Sequence, residues 1–312
     1  MIAALPHIQK IAHLDFTKDL DLTEEELFAL LDLAAEVKRA PENYRSKLAG
    51  KSIALLFEKP SLRTRMTFEL AIQQLGGFSI RNEGPIGSRE PLKDVARNLD
   101  RWVNGIVART YLQETVDDLA RWAKVPVINA LSDMWHPCQV LADMQTLRER
   151  FGSVRGLKLA FVGDGNNVTH SLMLNSARLG MDFALANPPN YDANAAVIQD
   201  AQAIAARTGS KLTFTHNPAE AVQGANAVYT DVWASMGAEN EAADRRTAFS
   251  DYQVDEELFV QAEPNAVFMH CLPAKRGEEV TSRVIESPRS VVFDQAENRL
   301  HAQKALLLML LS

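Results

Sequence analysis

Apolar positions recur along this chain at two different periods, and the two periods alternate. Leu27, Leu30, Leu31, Ala34 and Val37 share one face of a helix. Thr23 and Glu26 form a capping box ahead of them, so the pattern predicts a helix over 23–40. Short apolar runs at 52–57, 78–80, 105–108 and 127–130 then read as buried strands. The amphipathic stretches 64–75, 91–102 and 115–124 read as the helices between them. The rhythm restarts with strands expected at 157–162, 183–186, 212–215, 227–230 and 266–269, and helices at 168–179 and 192–208. Such alternation implies parallel sheets with helices on both faces. Two such series predict an α/β chain of two doubly wound parallel-sheet domains. The expected domains are 1–134 and 135–295, linked through a helix over 136–151, with a final helix over 296–312 packing back on the first. Residues 232–255 are polar and acidic and read as a long inserted loop, of the kind that is often functional.

In open α/β sheets, ligands bind beyond the carboxyl ends of the strands. Those ends are unusual here. The first strand runs into Ser61-Leu62-Arg63-Thr64-Arg65 and the third ends at Arg109. The fourth leads to His136-Pro-Cys-Gln139. In the second series, Gly163-Asp-Gly-Asn-Asn167, Asp231 and His270-Cys-Leu-Pro273 take the same positions. Polar groups from both domains thus point to an active site in an interdomain cleft.

The 312 residues carry 33 Lys and Arg against 40 Asp and Glu, a net charge of −7, which argues against nucleic acid as a partner. A small anion stays open, because a pocket needs only a few cations. Two cysteines, Cys138 and Cys271, make no disulfide framework and fit a reducing compartment. The apolar run 305–311 is far short of the roughly 20 residues of a membrane span. The N-terminus has no basic region leading into a long apolar one, so a cytoplasmic location is expected.

Each motif has a bland alternative. Ser61 to Arg65 unites hydroxyls, two guanidiniums and a helix start, which suits phosphate; it also suits a capped, solvated basic turn. Arg109 at the end of a buried strand binds an anion or closes an internal salt bridge. His136 and Gln139, three apart, share a helical face and are able to orient a carbonyl. Gly163-Asp-Gly lacks a third glycine, since Val168 takes that position, so a nicotinamide cofactor is disfavoured. His136, Cys138, His270 and Cys271 lack the spaced pairs of a zinc site, so no metal is expected. Cys271 is a reactive thiol or an inert buried one.

Taken together, these motifs resemble those of the aspartate/ornithine transcarbamylase family. Ser61-x-Arg-Thr-Arg65 and His136-Pro-Cys-Gln139 are similar to its carbamoyl phosphate signatures. His270-Cys-Leu-Pro273, Asp231-Val-Trp-Ala-Ser-Met-Gly237 and the segment 293–304 resemble those of its ornithine branch. The resemblance runs from about residue 20 to the C-terminus. It implies transfer of a carbamoyl group from carbamoyl phosphate to L-ornithine, within arginine metabolism and without a cofactor. On this resemblance Ser61, Leu62, Arg63, Thr64 and Arg109 hold phosphate. His136, Gln139, Arg299 and the Leu272 backbone address the carbamoyl group. Asn167, Asp231, Ser235, Met236 and Cys271 take ornithine, with Asp231, Cys271, His136 and Arg109 acting in catalysis. Relatives of this kind are trimers, so a homotrimer or a multiple of trimers is expected. Two departures stand out. Leu62 stands where Thr or Ser is common, and Pro85 lies near the place where many relatives carry a Gln that reaches the neighbouring subunit, with Arg89 the candidate to contribute instead. Two alternatives remain: a transcarbamylase for another amine (putrescine, N-acylornithine or aspartate), and an inactive carbamoyl phosphate-binding relative serving in assembly.

Overall fold

The computed structural model describes residues 8–234 and 239–312. Ser235 and Met236 lie outside the described residues. The chain divides into two compact units, residues 1–145 with 297–312, and residues 146–296.

The first unit opens with α1 (Glu24–Arg39), whose N-terminus carries the capping box. Thr23 Oγ1 accepts from Glu26 N at 3.1 Å, and Glu26 Oε2 accepts from Thr23 N at 2.7 Å, so two otherwise orphaned N–H groups are satisfied reciprocally. Its apolar face, including Leu27, Leu30 and Leu31, is fully buried. There follow β1 (Ser52–Phe57), α2 (Arg63–Gln74), β2 (Phe78–Glu83), α3 (Leu92–Leu99), β3 (Gly105–Arg109), α4 (Gln113–Trp122) and β4 (Val127–Leu131). The four strands are parallel in the order β2-β1-β3-β4. The chain therefore leaves β1 in one direction and returns past it in the other. With right-handed crossovers, that reversal places α2 on one face of the sheet and α3 and α4 on the opposite face.

The two units share α5 (Pro137–Phe151) and α12 (Val292–Leu311) in sequence. Between these lie β5 (Lys158–Val162), α6 (Asn167–Arg178), β6 (Asp182–Ala186), α7 (Ala195–Thr208), β7 (Leu212–Thr215), α8 (Pro218–Val222) and β8 (Ala227–Thr230). They continue with α9 (Ala242–Ala248), α10 (Glu256–Phe259), β9 (Val267–His270) and α11 (Ser282–Ile285). The second sheet is also all parallel, in the order β7-β6-β5-β8-β9. Its core packs small strand residues such as Ala160 and Ala184 with the rings of Phe249, Tyr252, Phe259 and Phe268. Both units are thus doubly wound α/β sheets, as the alternation of periods predicted.

Three expectations need correction. The run at 78–80 is not a buried strand. It belongs to the longer β2, an edge strand that among the described residues pairs with β1 alone, and Phe78 and Ile80 are 66% and 54% exposed. Hydrophobicity alone does not tell an edge strand from a central one. Residues 232–255 are not a structureless loop, because α9 forms there and Phe249 and Tyr252 anchor it in the core. The last helix begins at Val292 rather than 296, since Val292 is itself fully buried and extends the apolar face.

Candidate active site

Each sheet has one position where the strand order reverses, and polar side chains gather at both. In open α/β sheets this is where ligands bind.

In the first unit the reversal lies between β1 and β3. Their register pairs Phe57 with Arg109, so the guanidinium leaves β3 beside the loop that begins α2. Ser61 Oγ accepts from Thr64 N at 3.2 Å and steadies the first turn of α2. Thr64 is buried, and its hydroxyl oxygen accepts from two guanidiniums: Arg299 Nη2 at 2.6 Å and Arg109 Nη1 at 3.3 Å. Arg299 comes from α12, 235 positions away in sequence. Arg63 follows Leu62 at the helix start and is half-buried. Leu62 is the helix N-cap with an exposed side chain and no side-chain capping bond, so it offers this turn its backbone. A cavity of about 490 Å³ opens here, lined among others by Lys59, Ser61, Leu62 and Arg65.

His136 and Gln139 sit at the start of α5. Ser132 Oγ holds the preceding loop, accepting from Met134 N at 3.3 Å and Trp135 N at 3.2 Å. Burial lowers the His136 pKa well below the ordinary value of 6.5, and the charges of Arg299 and Arg109 lower it further. Its imidazole is therefore neutral near pH 7 and donates one N–H. Gln139 is fully buried, and its Nε2 donates to Asp143 Oδ1 at 2.8 Å. That bond fixes which way the amide faces and leaves Oε1 as a buried acceptor with no hydrogen-bond partner among the described residues. Cys138, between them, is different in kind. Its Sγ donates to the Asn129 carbonyl at 3.3 Å, and burial pushes its thiol up to about 12, so it is inert.

In the second unit the reversal lies between β5 and β8, with β9 next to β8. The register pairs Thr230 with His270, which brings the next residues, Asp231 and Cys271, side by side. Cys271 Sγ lies 3.1 Å from Asp231 Oδ1. Asn166, the N-cap of α6, donates from Nδ2 to Asp231 Oδ2 at 3.2 Å. Asn167, singled out by sequence, is the next residue and half-buried, with Oδ1 accepting from Val168 N at 2.9 Å.

The turn after β9 is held from several sides. Leu272 N donates to His270 Nδ1 at 2.8 Å, so the ring proton is on Nε2, 3.2 Å from the fully buried Glu279 Oε1. Gln295 Oε1 accepts from His270 N at 3.0 Å. Leu272 adopts φ of +57°, a left-handed conformation that a branched residue keeps only when its surroundings impose it. Ligand atoms of Asp231, His270 and Cys271 lie within 4.8 Å of one another. Both His270 nitrogens already serve the protein, however, and binding a metal would cost one of those bonds. The glycine turn after β5 has its own reason: a Cβ on Gly165 would come within 2.2 Å of Ala193 N, so close backbone packing demands glycine there.

The carbamoyl-P binding domain of aspartate/ornithine carbamoyltransferase matches residues 14–149, and the Asp/Orn binding domain of the same family matches residues 155–310. The chain belongs to the aspartate/ornithine carbamoyltransferase family. It is 51% identical over 302 residues to an ornithine carbamoyltransferase of Carboxydothermus hydrogenoformans, covering 95% of this chain and 97% of that one. An ornithine carbamoyltransferase of Thermococcus kodakarensis is 49% identical, over 93% of this chain and 94% of its own. Among solved structures, the ornithine carbamoyltransferase from Pyrococcus furiosus superposes with a TM-score of 0.92 at 47% identity, covering 95% of this chain and 96% of that one.

The structure also brings forward residues that the motifs did not single out. Asn166 donates to the Asp231 carboxylate. Asp143 orients Gln139, and Glu279 faces His270. The i to i+4 spacing of Gln139 and Asp143 on α5 was the one signal in sequence for the second of these pairs. Arg245 pairs with Asp164 and Glu241, and Arg246 with Glu278.

Proposed function

We propose that this chain is an ornithine carbamoyltransferase, converting carbamoyl phosphate and L-ornithine to L-citrulline and phosphate. The observation that carries this reading is the contact between Asp231 and Cys271 at adjacent strand ends, in a chain about half identical to ornithine carbamoyltransferases along its length. A carboxylate and a thiol together suit a substrate ammonium, as the guanidinium cluster around Thr64 suits a phosphate dianion.

Ser61, Leu62, Arg63 and Thr64 hold the phosphate at the N-terminus of α2, where N–H groups and the helix dipole favour an anion, and Arg109 assists. His136 donates its N–H to the carbamoyl oxygen, with Arg299 beside it. Gln139 accepts from the carbamoyl amide through Oε1, the atom that Asp143 leaves available. Ornithine binds through Asn167, Asp231, Ser235 and Met236. An alkylammonium has a pKa of about 10 and must lose a proton before it attacks. Asp231 holds the ammonium, and a thiolate at Cys271 accepts the proton, with the Leu272 carbonyl alongside. The amine lone pair then attacks the carbamoyl carbon. Arg109, Arg299 and His136 stabilise the oxyanion of the tetrahedral intermediate. The carbon–oxygen bond to phosphate breaks with its electron pair, and the leaving phosphate takes the second amine proton. Arg245 and Arg246 being committed elsewhere speaks against aspartate, whose second carboxylate needs a cation.

A homotrimer fits the exposed stripe of Leu62, Met66 and Leu70 on α2 beside Phe78 and Ile80 on the edge strand β2. Arg89 is exposed and takes the intersubunit role that Pro85 cannot fill. A cytoplasmic enzyme of arginine metabolism agrees with the absence, among the described residues, of any helix long and apolar enough to cross a membrane. The test is carbamoyl phosphate offered to purified protein with ornithine, putrescine, N-acetylornithine and aspartate in turn. Citrulline from ornithine is expected at the highest kcat/KM. Preference for another amine overturns the substrate. Carbamoyl phosphate binding without turnover on any amine makes the chain a binding subunit.

A further inference from the structure

We propose that Gln113 is a positioning residue for His136, acting through the hydroxyl of Ser132 and fixing the turn after β4 against the turn after β3. Both turns belong to the first unit. In the proposed function each carries a group that faces carbamoyl phosphate, Arg109 on one and His136 on the other.

The sheet ladder alone does not set their spacing. The register of β3 against β4 shifts at the strand ends: Ala108 pairs with Asn129, but Arg109 pairs with Leu131. Such an irregularity disrupts the ladder locally and re-aims the side chains beside it. Bonds from the start of α4 take over there. Gln113 N, at the first position of α4, donates to Asp133 Oδ1 at 2.7 Å. Leu112, the N-cap of α4, makes no side-chain capping bond, so a carboxylate from the β4 turn caps this helix in its place.

The Gln113 side chain holds the same turn a second time. Its Nε2 donates to Asp117 Oδ1 at 2.8 Å and to the Thr17 carbonyl at 3.3 Å. An ionised carboxylate only accepts, so Asp117 fixes the orientation of the amide and turns Oε1 toward β4. Oε1 accepts from Asn129 Nδ2 at 3.0 Å and from Ser132 Oγ at 2.5 Å. Ser132 is fully buried. Because its hydroxyl proton points to Gln113, the lone pairs of Oγ face the N–H groups of Met134 and Trp135. Ser132 N in turn donates to the Trp135 carbonyl at 3.0 Å and closes the turn. His136 is the next residue. Removing Oε1 takes away the acceptor that orients this hydroxyl, and with it the bonds that aim the backbone entering His136. A displacement of about 1 Å at a group that addresses the reacting atoms costs up to about 10²-fold in rate.

The catalytic half of this inference rests on the proposed function; the placement of the His136 ring does not. The experiment uses the full chain as wild type, Gln113→Leu, Ser132→Ala, Ser132→Thr and the double variant Gln113→Leu with Ser132→Ala. Kinetics are read at a temperature where each variant is folded. NMR of isotope-labelled histidine follows the His136 ring, whose signals are assigned by their loss in His136→Asn. Gln113→Leu is expected to lower kcat roughly tenfold while KM for ornithine changes less than about twofold, and to shift the His136 signals. Ser132→Thr keeps the hydroxyl and should keep most of kcat. The double variant should be little worse than either single one, because both changes break one chain of bonds. If Ser132→Ala does not fold, Gln113→Leu carries the test, since Gln113 is only half-buried. A lower Tm with kcat and the His136 signals unchanged overturns the proposal and means support of the fold alone. A loss of kcat with the His136 signals unmoved, or the reverse, overturns it as well. Losses that add in the double variant overturn the route through Ser132. If wild type forms no citrulline, the proposed function fails, and the His136 signals decide the role of Gln113 by themselves.

Discussion

The two polar clusters occupy equivalent places in two equivalent folds and are built in opposite ways. At the β1–β3 reversal, buried guanidiniums converge on a hydroxyl and a neutral imidazole stands by. At the β5–β8 reversal, a carboxylate meets a thiol beside a turn locked by His270, Glu279 and Gln295. The backbone geometry is common to both, a reversal of strand order that leaves a crevice at the carboxyl ends. The difference lies in a few side chains, which make one crevice complementary to an anion and the other to a cation. A doubly wound sheet supplies a place, and the residues at its strand ends decide the charge of what binds there.

This contrast breaks most sharply at Arg109. Arg109→Ala removes one of the two guanidiniums on Thr64 and should cut kcat/KM by about 10²–10³-fold, with most carbamoyl phosphate affinity lost. Equilibrium binding of carbamoyl phosphate checks it. Asp231→Asn, the matching change in the other unit, should lower kcat/KM for ornithine by a comparable factor, roughly 10²-fold, and leave carbamoyl phosphate binding near wild type. If both variants lose both substrates equally, the clusters do not divide the work as argued.

The cysteines sharpen the comparison further. Cys271→Ala should reduce kcat roughly tenfold or more with little change in KM for carbamoyl phosphate. Cys138→Ala should act on stability alone, because that thiol is buried and bonded to a carbonyl. Iodoacetamide, followed by mass spectrometry of the native protein, should modify Cys271 and leave Cys138 untouched.

The smallest effect concerns His136. Its pKa is depressed in the folded state by burial and then by two cations, so the unfolded chain binds the proton first as pH falls. Stability is unaffected by this group above about pH 6.5. It declines below that by up to about 1.4 kcal/mol per pH unit until the folded pKa is reached. His136→Asn should therefore flatten the fall of Tm between about pH 6.5 and 5 relative to wild type. An identical slope in the two proteins would mean that His136 is not held neutral.

Much of this molecule was legible from one-dimensional patterns, for a physical reason. A strand buried on both faces in a parallel sheet is a short apolar run, and a helix laid against it has a 3.6-residue period, so the alternation of periods dictates the doubly wound class. The capping box at Thr23 and Glu26 is equally local, since both bonds span three residues. Strand-end chemistry was visible too, because Arg109 follows an apolar run directly and Asp231 and Cys271 each lie two residues beyond one.

Other features depend on pairing that no local pattern encodes. Phe78 and Ile80 are exposed because β2 lies at the sheet edge, and strand order is a tertiary fact. Arg299 reaches Thr64 across 235 positions only because the final helix folds with the first unit. Asn166 meets Asp231 across 65 positions, because the start of α6 lies beside the end of β8. Arg245 meets Asp164 across 81 positions, with its guanidinium over the Tyr191 ring. The sequence by itself determined the elements, their class and the kinds of chemistry at the strand ends, because those follow from propensity and periodicity. Tertiary structure alone decided which charges share a cluster, because burial and register convert distant residues into neighbours a few ångströms apart.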